Sequence, residues 1–169
     1  KVQRSVGRVR FKGRDTRSRN EHEIARWGIG RKFQTPRIYL NLTPRENLEL
    51  SCNRRKDVFS TLFRPTPSSE KRHVTQLLET IGLINKADVK AGALSHGEKQ
   101  WLEIGMLVGQ APDLLLVDEP VAGMTDEETQ LTGDLLISLA ESHSIIVIEH
   151  DMEFVRQIAR QVTVLHEGS

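Results

Sequence analysis

Two unbroken apolar runs constrain this chain most, Leu114-Leu115-Leu116-Val117 and Ile145-Ile146-Val147-Ile148. Each is strand-sized, too short for a buried helix and bounded by polar residues, so each reads as a buried strand. Between them, residues 126–140 look helical behind a capping box, Thr125-Asp126-Glu127-Glu128. A short helix over 152–160 and a third strand over 162–166 follow. Strand, helix, strand, helix, strand implies parallel pairing with helices on the sheet faces, an α/β fold.

Upstream, the chain is mainly helical. Residues 8–11 suggest a short strand closed by Gly13. Asn20 with Glu23 three residues on marks a helix start, with its end at Gly28. Residues 30–33 lead into Gln34-Thr35-Pro36, extended or turning because Pro36 restricts Thr35. Thr43-Pro44-Arg45-Glu46 combines an N-cap, a proline at the first helical position and a capping-box Glu. Residues 53–69 read as a loop or insertion, and 70–81 as a helix stopping at Gly82. A further helix over 95–110 opens on the box of Ser95 and Glu98 and ends before Pro112. This region suggests a helical subdomain inserted into the α/β core.

Composition narrows the class. No apolar run approaches the ~18 residues of a membrane span, and the basic start lacks the apolar stretch of a signal peptide. The single cysteine, Cys52, has no internal partner, so a reducing compartment is expected. Residues 1–72 carry 19 Lys and Arg against 7 Asp and Glu, while residues 73–169 carry 5 against 16. Such a basic half suits nucleic acid, an anionic membrane surface or simply a solvated face. Its cations are scattered with little aromatic interleaving, which argues against nucleic acid.

Three places can carry chemistry. Asp118 and Glu119 follow the run 114–117 at the C-terminal tip of the strand, where open α/β sheets place ligands. Successive strand residues face opposite sides, so the two acids can act separately. Asp118 could hold Mg²⁺ through water, and Glu119 could polarise an attacking water as general base. A strand ending in a polar turn would look the same. Ser95-His96-Gly97-Glu98 heads a helix, whose free N–H groups and dipole favour an anion; a plain capping box explains Ser95 and Glu98 equally. His150 follows the second run and could hydrogen-bond a phosphate, or be structural.

Order and spacing join these places. Leu94-Ser95-His96-Gly97-Glu98, then Asp118-Glu119-Pro120, then His150 resembles the ABC ATPase family: signature motif, Walker B with catalytic Glu, and switch histidine. Phe33-Gln34 looks like its Q-loop and Ala122-Gly123-Met124-Thr125 like its D-loop. The resemblance spans essentially the whole chain. It implies a P-loop NTPase-type parallel sheet with an inserted helical signature subdomain. Residues 1–34 would be core up to the Q-loop, 35–111 the helical subdomain, and 112–169 the core carrying Walker B, D-loop and switch His.

The roles it implies are these. ATP and Mg²⁺ are the cofactors. Gln34 and Asp118 would contact Mg²⁺, directly or through water. Glu119, His150 and Gln34 would be catalytic, with His150 steadying the γ-phosphate and the water of Glu119. Ser95, His96, Gly97, Glu98 and Asp118 would bind the cofactor, Ser95 and Gly97 on the γ-phosphate held by a second ATPase subunit. Residues 35–47, with apolar Ile38, Tyr39, Leu40 and Leu42, would receive a transmembrane permease subunit; packing under a loop explains those residues equally. A solute-binding protein would act indirectly, nucleic acid is not expected, and the place would be the cytoplasmic face of a bacterial membrane, peripherally.

Gly30-Arg31-Lys32-Phe33-Gln34-Thr35-Pro36, Glu46-Asn47-Leu48 and Glu149-His150-Asp151-Met152 are similar to the branched-chain amino acid class of importers. Within it, Leu94-Ser95-His96-Gly97 and Pro120-Val121-Ala122-Gly123-Met124-Thr125 most resemble its urea-transport ATPases. The pattern also departs from the family. No G-x-x-x-x-G-K-[ST] phosphate loop occurs in these 169 residues. The expectation is that the chain is a fragment starting just after that loop, and alone neither binds ATP tightly nor hydrolyses it. His96 stands where the signature has glycine, Glu98 where Gln is common, and Thr125 where the D-loop has Asp. A DNA-repair or chromosome-organising ATPase head shares the signature and Walker B. It would carry a long coiled coil between Gln34 and Leu94, where only about sixty residues without sustained heptads intervene. A non-catalytic fragment competing for a permease is the third reading.

Overall fold

The computed structural model describes residues 8–17, 19–32, 38–52 and 68–165. Its first element is a hairpin, β1 (Arg10–Phe11) antiparallel to β2 (Arg14–Asp15). The two turn residues, Lys12 and Gly13, both have positive φ, as the tight turn matching strand twist requires. Asn20 caps α1 (Glu21–Arg26), its side chain accepting from the Glu23 amide at 2.9 Å.

Gly28, with φ of 100°, turns the chain from α1 into β3 (Ile29–Lys32). Its carbonyl accepts from the Asp113 and Leu114 amides at 2.8 and 3.1 Å, pinning the start of the next strand. An added Cβ would stand 2.1 Å from Asp113 Oδ2, so no other residue fits this conformation and this approach.

The helical layer comprises α2 (Pro44–Cys52), α3 (Ser68–Thr80) and α4 (His96–Val108), with short 3₁₀ turns at Ile84–Lys86 and Ala91–Ala93. Leu48, Val74, Leu77, Leu78, Leu102 and Ile104 form its buried centre. The expected loop spans 53–69; Ser68 and Ser69 are instead the first turn of α3, and 53–67 lie outside the described residues.

The sheet runs β3, β4 (Leu114–Asp118), β5 (Ser144–Ile148), all parallel, with β4 central. Ile29 to Lys32 align with Leu114 to Val117, and Leu114 to Asp118 with Ser144 to Ile148. The crossover between β4 and β5 is α5 (Asp126–Leu139), and α6 (Met152–Ile158) follows β5. Leu115, Val117, Leu136 and Phe154 bury one sheet face.

Three expectations need correction. Residues 29–32 form a sheet strand rather than a mere lead into a turn, because they lie beside β4 and complete its ladder. β5 is buried on one face only: Ile145 and Val147 pack on the core, while Ile146 and Ile148 on the opposite face remain more than half exposed. The third strand over 162–166 does not form within 162–165, and His166 lies outside the described residues. Val164 and Leu165 are about four-fifths exposed, and among the described residues no strand pairs with 162–165.

Candidate active site

The parallel register sets the tips of β4 and β5 side by side. Asp118 ends β4, and Glu119 follows with φ of 45°, a left-handed conformation costing about 1–3 kcal/mol in a residue with a side chain. Its neighbours impose that turn: the Glu119 amide donates to the Ile148 carbonyl at 2.9 Å. The carboxylate of Glu119 then lies 3.7 Å (Oε1) from His150 Nδ1. Glu119 is half-buried and His150 mostly exposed.

Glu149 locks this corner. Its carboxylate is buried and accepts from the His150 amide at 2.9 Å, the Asp151 amide at 3.4 Å and, across the tips, the Val121 amide at 3.4 Å. Asp151 caps α6, accepting from the Glu153 and Phe154 amides at 2.9 and 3.1 Å. Both chain reversals are therefore held by acids, and Glu119 and His150 point from fixed backbone. The sequence placed Glu149 only within a strand; its buried role comes from the tip-to-tip register.

Lys32 is the other residue that sequence reasoning passed over. It is fully buried at the end of β3, opposite Val117 and one step from Asp118. Burial pushes its ammonium below the ordinary lysine value, opposed by the negative charges of Glu103, Asp118 and Glu149. A lysine directly before Phe33-Gln34, facing an acid-tipped strand, was the available signal. Gln34 itself lies outside the described residues.

Ser95, His96, Gly97 and Glu98 sit at the head of α4. Ser95 Oγ accepts from the Glu98 amide at 3.1 Å, and Glu98 Oε2 from the Ser95 amide at 2.9 Å. Glu98 also pairs with Lys86. His96 is exposed, with Nε2 3.3 Å from Gln100 Nε2. Gly97 is buried beneath the first turn of α5, where Glu128 reaches across: Ser95 Oγ donates to Glu128 Oε1 at 2.8 Å. The Ser95 hydroxyl, then the Thr125 and Gly97 amides, hold the Glu128 carboxyl below its ordinary range. A second link joins the two helices, Trp101 Nε1 donating to Thr132 Oγ1 at 2.8 Å. Asp118, Glu119 and His150 thus gather at two strand tips, and the four residues 95–98 at the α4–α5 junction. Among the described residues, no three His, Cys, Asp or Glu side chains are arranged to hold a metal ion.

Residues 1–122 match the family model described as ABC transporter. The chain belongs to the ABC transporter family. It is 32% identical over 172 residues to the high-affinity branched-chain amino acid transport ATP-binding protein BraF of Pseudomonas aeruginosa, covering 96% of this chain and 68% of that one. It is 34% identical over 157 residues to the ATP-binding protein LivG of Escherichia coli, of the same transport description, covering 87% and 61%. Among solved structures, the ADP conformation of MJ1267, an ATP-binding cassette of an ABC transporter, superposes with a TM-score of 0.72 at 28% identity, covering 89% of this chain and 62% of that one. The chain therefore spans about two thirds of the length of these relatives. The parallel sheet with flanking helices is the α/β core of the family fold.

Proposed function

We propose that this chain is the catalytic part of an importer ATPase, using Glu119 to activate water against ATP. The observation that carries the reading is the 3.7 Å approach of His150 to Glu119 at adjoining strand tips, beside Asp118. Glu119 accepts the proton of the attacking water at its carboxylate. His150 holds that water and the γ-phosphate from the exposed side. Glu149 keeps the two in register through the amides it binds. Ser95 and Gly97 donate to the γ-phosphate of nucleotide carried by a second subunit. The seating of the Glu128 carboxylate on the Ser95 hydroxyl at 2.8 Å supports an anion at that end.

Mg²⁺ suits the donor set: it is bound through one or two carboxylates plus phosphates rather than an all-protein cage, and Asp118 supplies such an oxygen. When bound, it neutralises charge developing on the phosphates. Gln34 would join it from the end of β3.

The solute is proposed to be a branched-chain amino acid or urea, the former on the relatives' descriptions and the latter on the sequence resemblance. A permease contact is supported by the loop before α2. Tyr39 and Leu40 are more than half exposed, yet their backbone is fixed. The buried Asn47 accepts from the Tyr39 amide at 2.8 Å and donates to the Tyr39 carbonyl at 3.1 Å, and the Leu40 carbonyl accepts from Gly92 at 2.9 Å. A rigid apolar ledge suits a helix laid upon it. No helix among the described residues is long and apolar enough to cross a membrane. Through that permease the subunit would sit against the cytoplasmic membrane face.

The test is ATP turnover by the complete gene product with Mg²⁺. Glu119→Gln is expected to lower kcat by about 10²–10⁴ with little change in nucleotide binding. Turnover unaffected by Glu119→Gln would overturn the assignment. The 169 residues expressed alone, lacking a phosphate loop in sequence, are expected to show no turnover. Uptake of labelled leucine against labelled urea by the assembled transporter separates the two solutes.

A further inference from the structure

The donors proposed for a phosphate already hold another anion. Glu128, third residue of α5, crosses to the head of α4, where its Oε1 accepts from the Ser95 hydroxyl at 2.8 Å. Its Oε2 accepts from the Thr125 amide at 3.2 Å within its own helix cap. The missing side chain of Gly97 makes room for it: an added Cβ would stand 2.7 Å from both Cδ and Oε1 of Glu128. Asp126 and Glu127, beside it, are exposed.

We infer that Glu128 is a built-in competitor for the phosphate end of the signature, its carboxylate occupying the Ser95 hydroxyl and the space over Gly97 until the γ-phosphate of a second subunit displaces it. The inference rests on the function proposed above and adds the regulation of that site. A serine hydroxyl has one hydrogen to donate, so it serves Glu128 or a phosphate, not both. The space over Gly97 admits one group. The partial positive charge at the helix start stabilises one anion there, and a second brought alongside is repelled. Releasing Oε1 leaves Oε2 at the Thr125 amide, so displacement leaves the cap of α5 in place. Nucleotide-driven closure would then work against this carboxylate, and Glu128 would set the ATP concentration at which two subunits join.

The experiment measures dimerisation of the complete gene product by sedimentation velocity against a slowly hydrolysed ATP analogue with Mg²⁺. Glu128→Gln keeps a capping-box side chain but removes the charge. It is expected to lower the half-maximal nucleotide concentration about tenfold, 1.4 kcal/mol in binding. Glu128→Asp keeps the charge but shortens the reach to Ser95, and is expected to shift the midpoint the same way. Glu127→Gln, removing an equal charge from the neighbouring exposed position, is expected to leave it unchanged. An unchanged or raised midpoint in Glu128→Gln overturns the inference, as does an equal shift in Glu127→Gln, which would make the effect one of general charge. If the parent protein fails to dimerise with nucleotide, the proposed function fails first and the competitor role with it.

Discussion

The bond between Trp101 and Thr132 is the firmest link between α4 and α5, and its strength can be worked out. Trp101 Nε1 donates to Thr132 Oγ1 at 2.8 Å, and that hydroxyl donates onward to the Glu128 carbonyl at 2.7 Å. Thr132 is fully buried and Trp101 nearly so. Thr132→Val replaces the hydroxyl by a methyl of similar shape. It leaves the indole N–H buried without an acceptor, at a cost of about 1–3 kcal/mol. At about 2–4 °C per kcal/mol for a chain of this size, the melting temperature falls by roughly 5 °C. Trp101→Phe removes the donor and some packed ring, losing about 2 kcal/mol at ~0.8 kcal/mol per buried carbon. In that background Thr132→Val strands nothing and is expected to be nearly neutral. Urea unfolding of the four proteins should therefore give a coupling energy of about 1–2 kcal/mol. Effects that add to within ~0.5 kcal/mol would refute the claim that this bond, rather than apolar packing alone, clamps the two helices.

Acid titration probes the other link. Glu128 titrates below its ordinary 4.5 because the Ser95 hydroxyl, first, and the Thr125 amide favour its charged form. A carboxyl depressed in the folded state contributes stability above its unfolded value and loses it as pH falls through the folded value. Glu128→Gln should thus flatten the stability curve below about pH 4.5, and an unchanged slope there in unfolding measurements would count against the Ser95 bond. Burial pushes the Cys52 thiol above its ordinary value, so it is little ionised near pH 8. Its reaction with a disulfide reagent should run at least about tenfold slower in the folded protein than in urea; equal rates would show that α2 does not shelter it.

Much of the frame was legible in the sequence because local signals agreed there. Asn20, Ser95 and Thr125 each head a helix with a Glu three residues on, and each forms the reciprocal cap. The run 114–118 is a strand whose four apolar residues alternate across the sheet, Leu115 and Val117 buried and Leu114 and Leu116 half-buried. Legibility ended where pairing decides the outcome. Residues 29–32 carry Gly30, Arg31 and Lys32, poor strand formers, and are a strand only because β4 lies beside them. Residues 162–165 are better strand formers by composition, yet stay irregular without a partner. In the site, Asp118, Glu119 and His150 could be named from their places at strand ends. Glu149 and Glu128 could not, since each acts through a contact between elements distant in sequence.

Those two residues, Glu149 and Glu128, link the strand tips to the head of α4. Glu149 ties the His150 loop to Val121, three residues before Met124, and Met124 Sδ lies 3.2 Å from the Thr132 hydroxyl that holds Trp101 of the signature helix. Glu128 returns from the same helix to Ser95. A path of short contacts therefore runs from the Glu119 corner to Ser95. The segment between, residues 121–125, is short and turns through a left-handed Gly123 with φ of 72°. Release of Glu128 from Ser95 and movement of the Glu119–Val121 turn should then be linked steps, each felt by the other through α5.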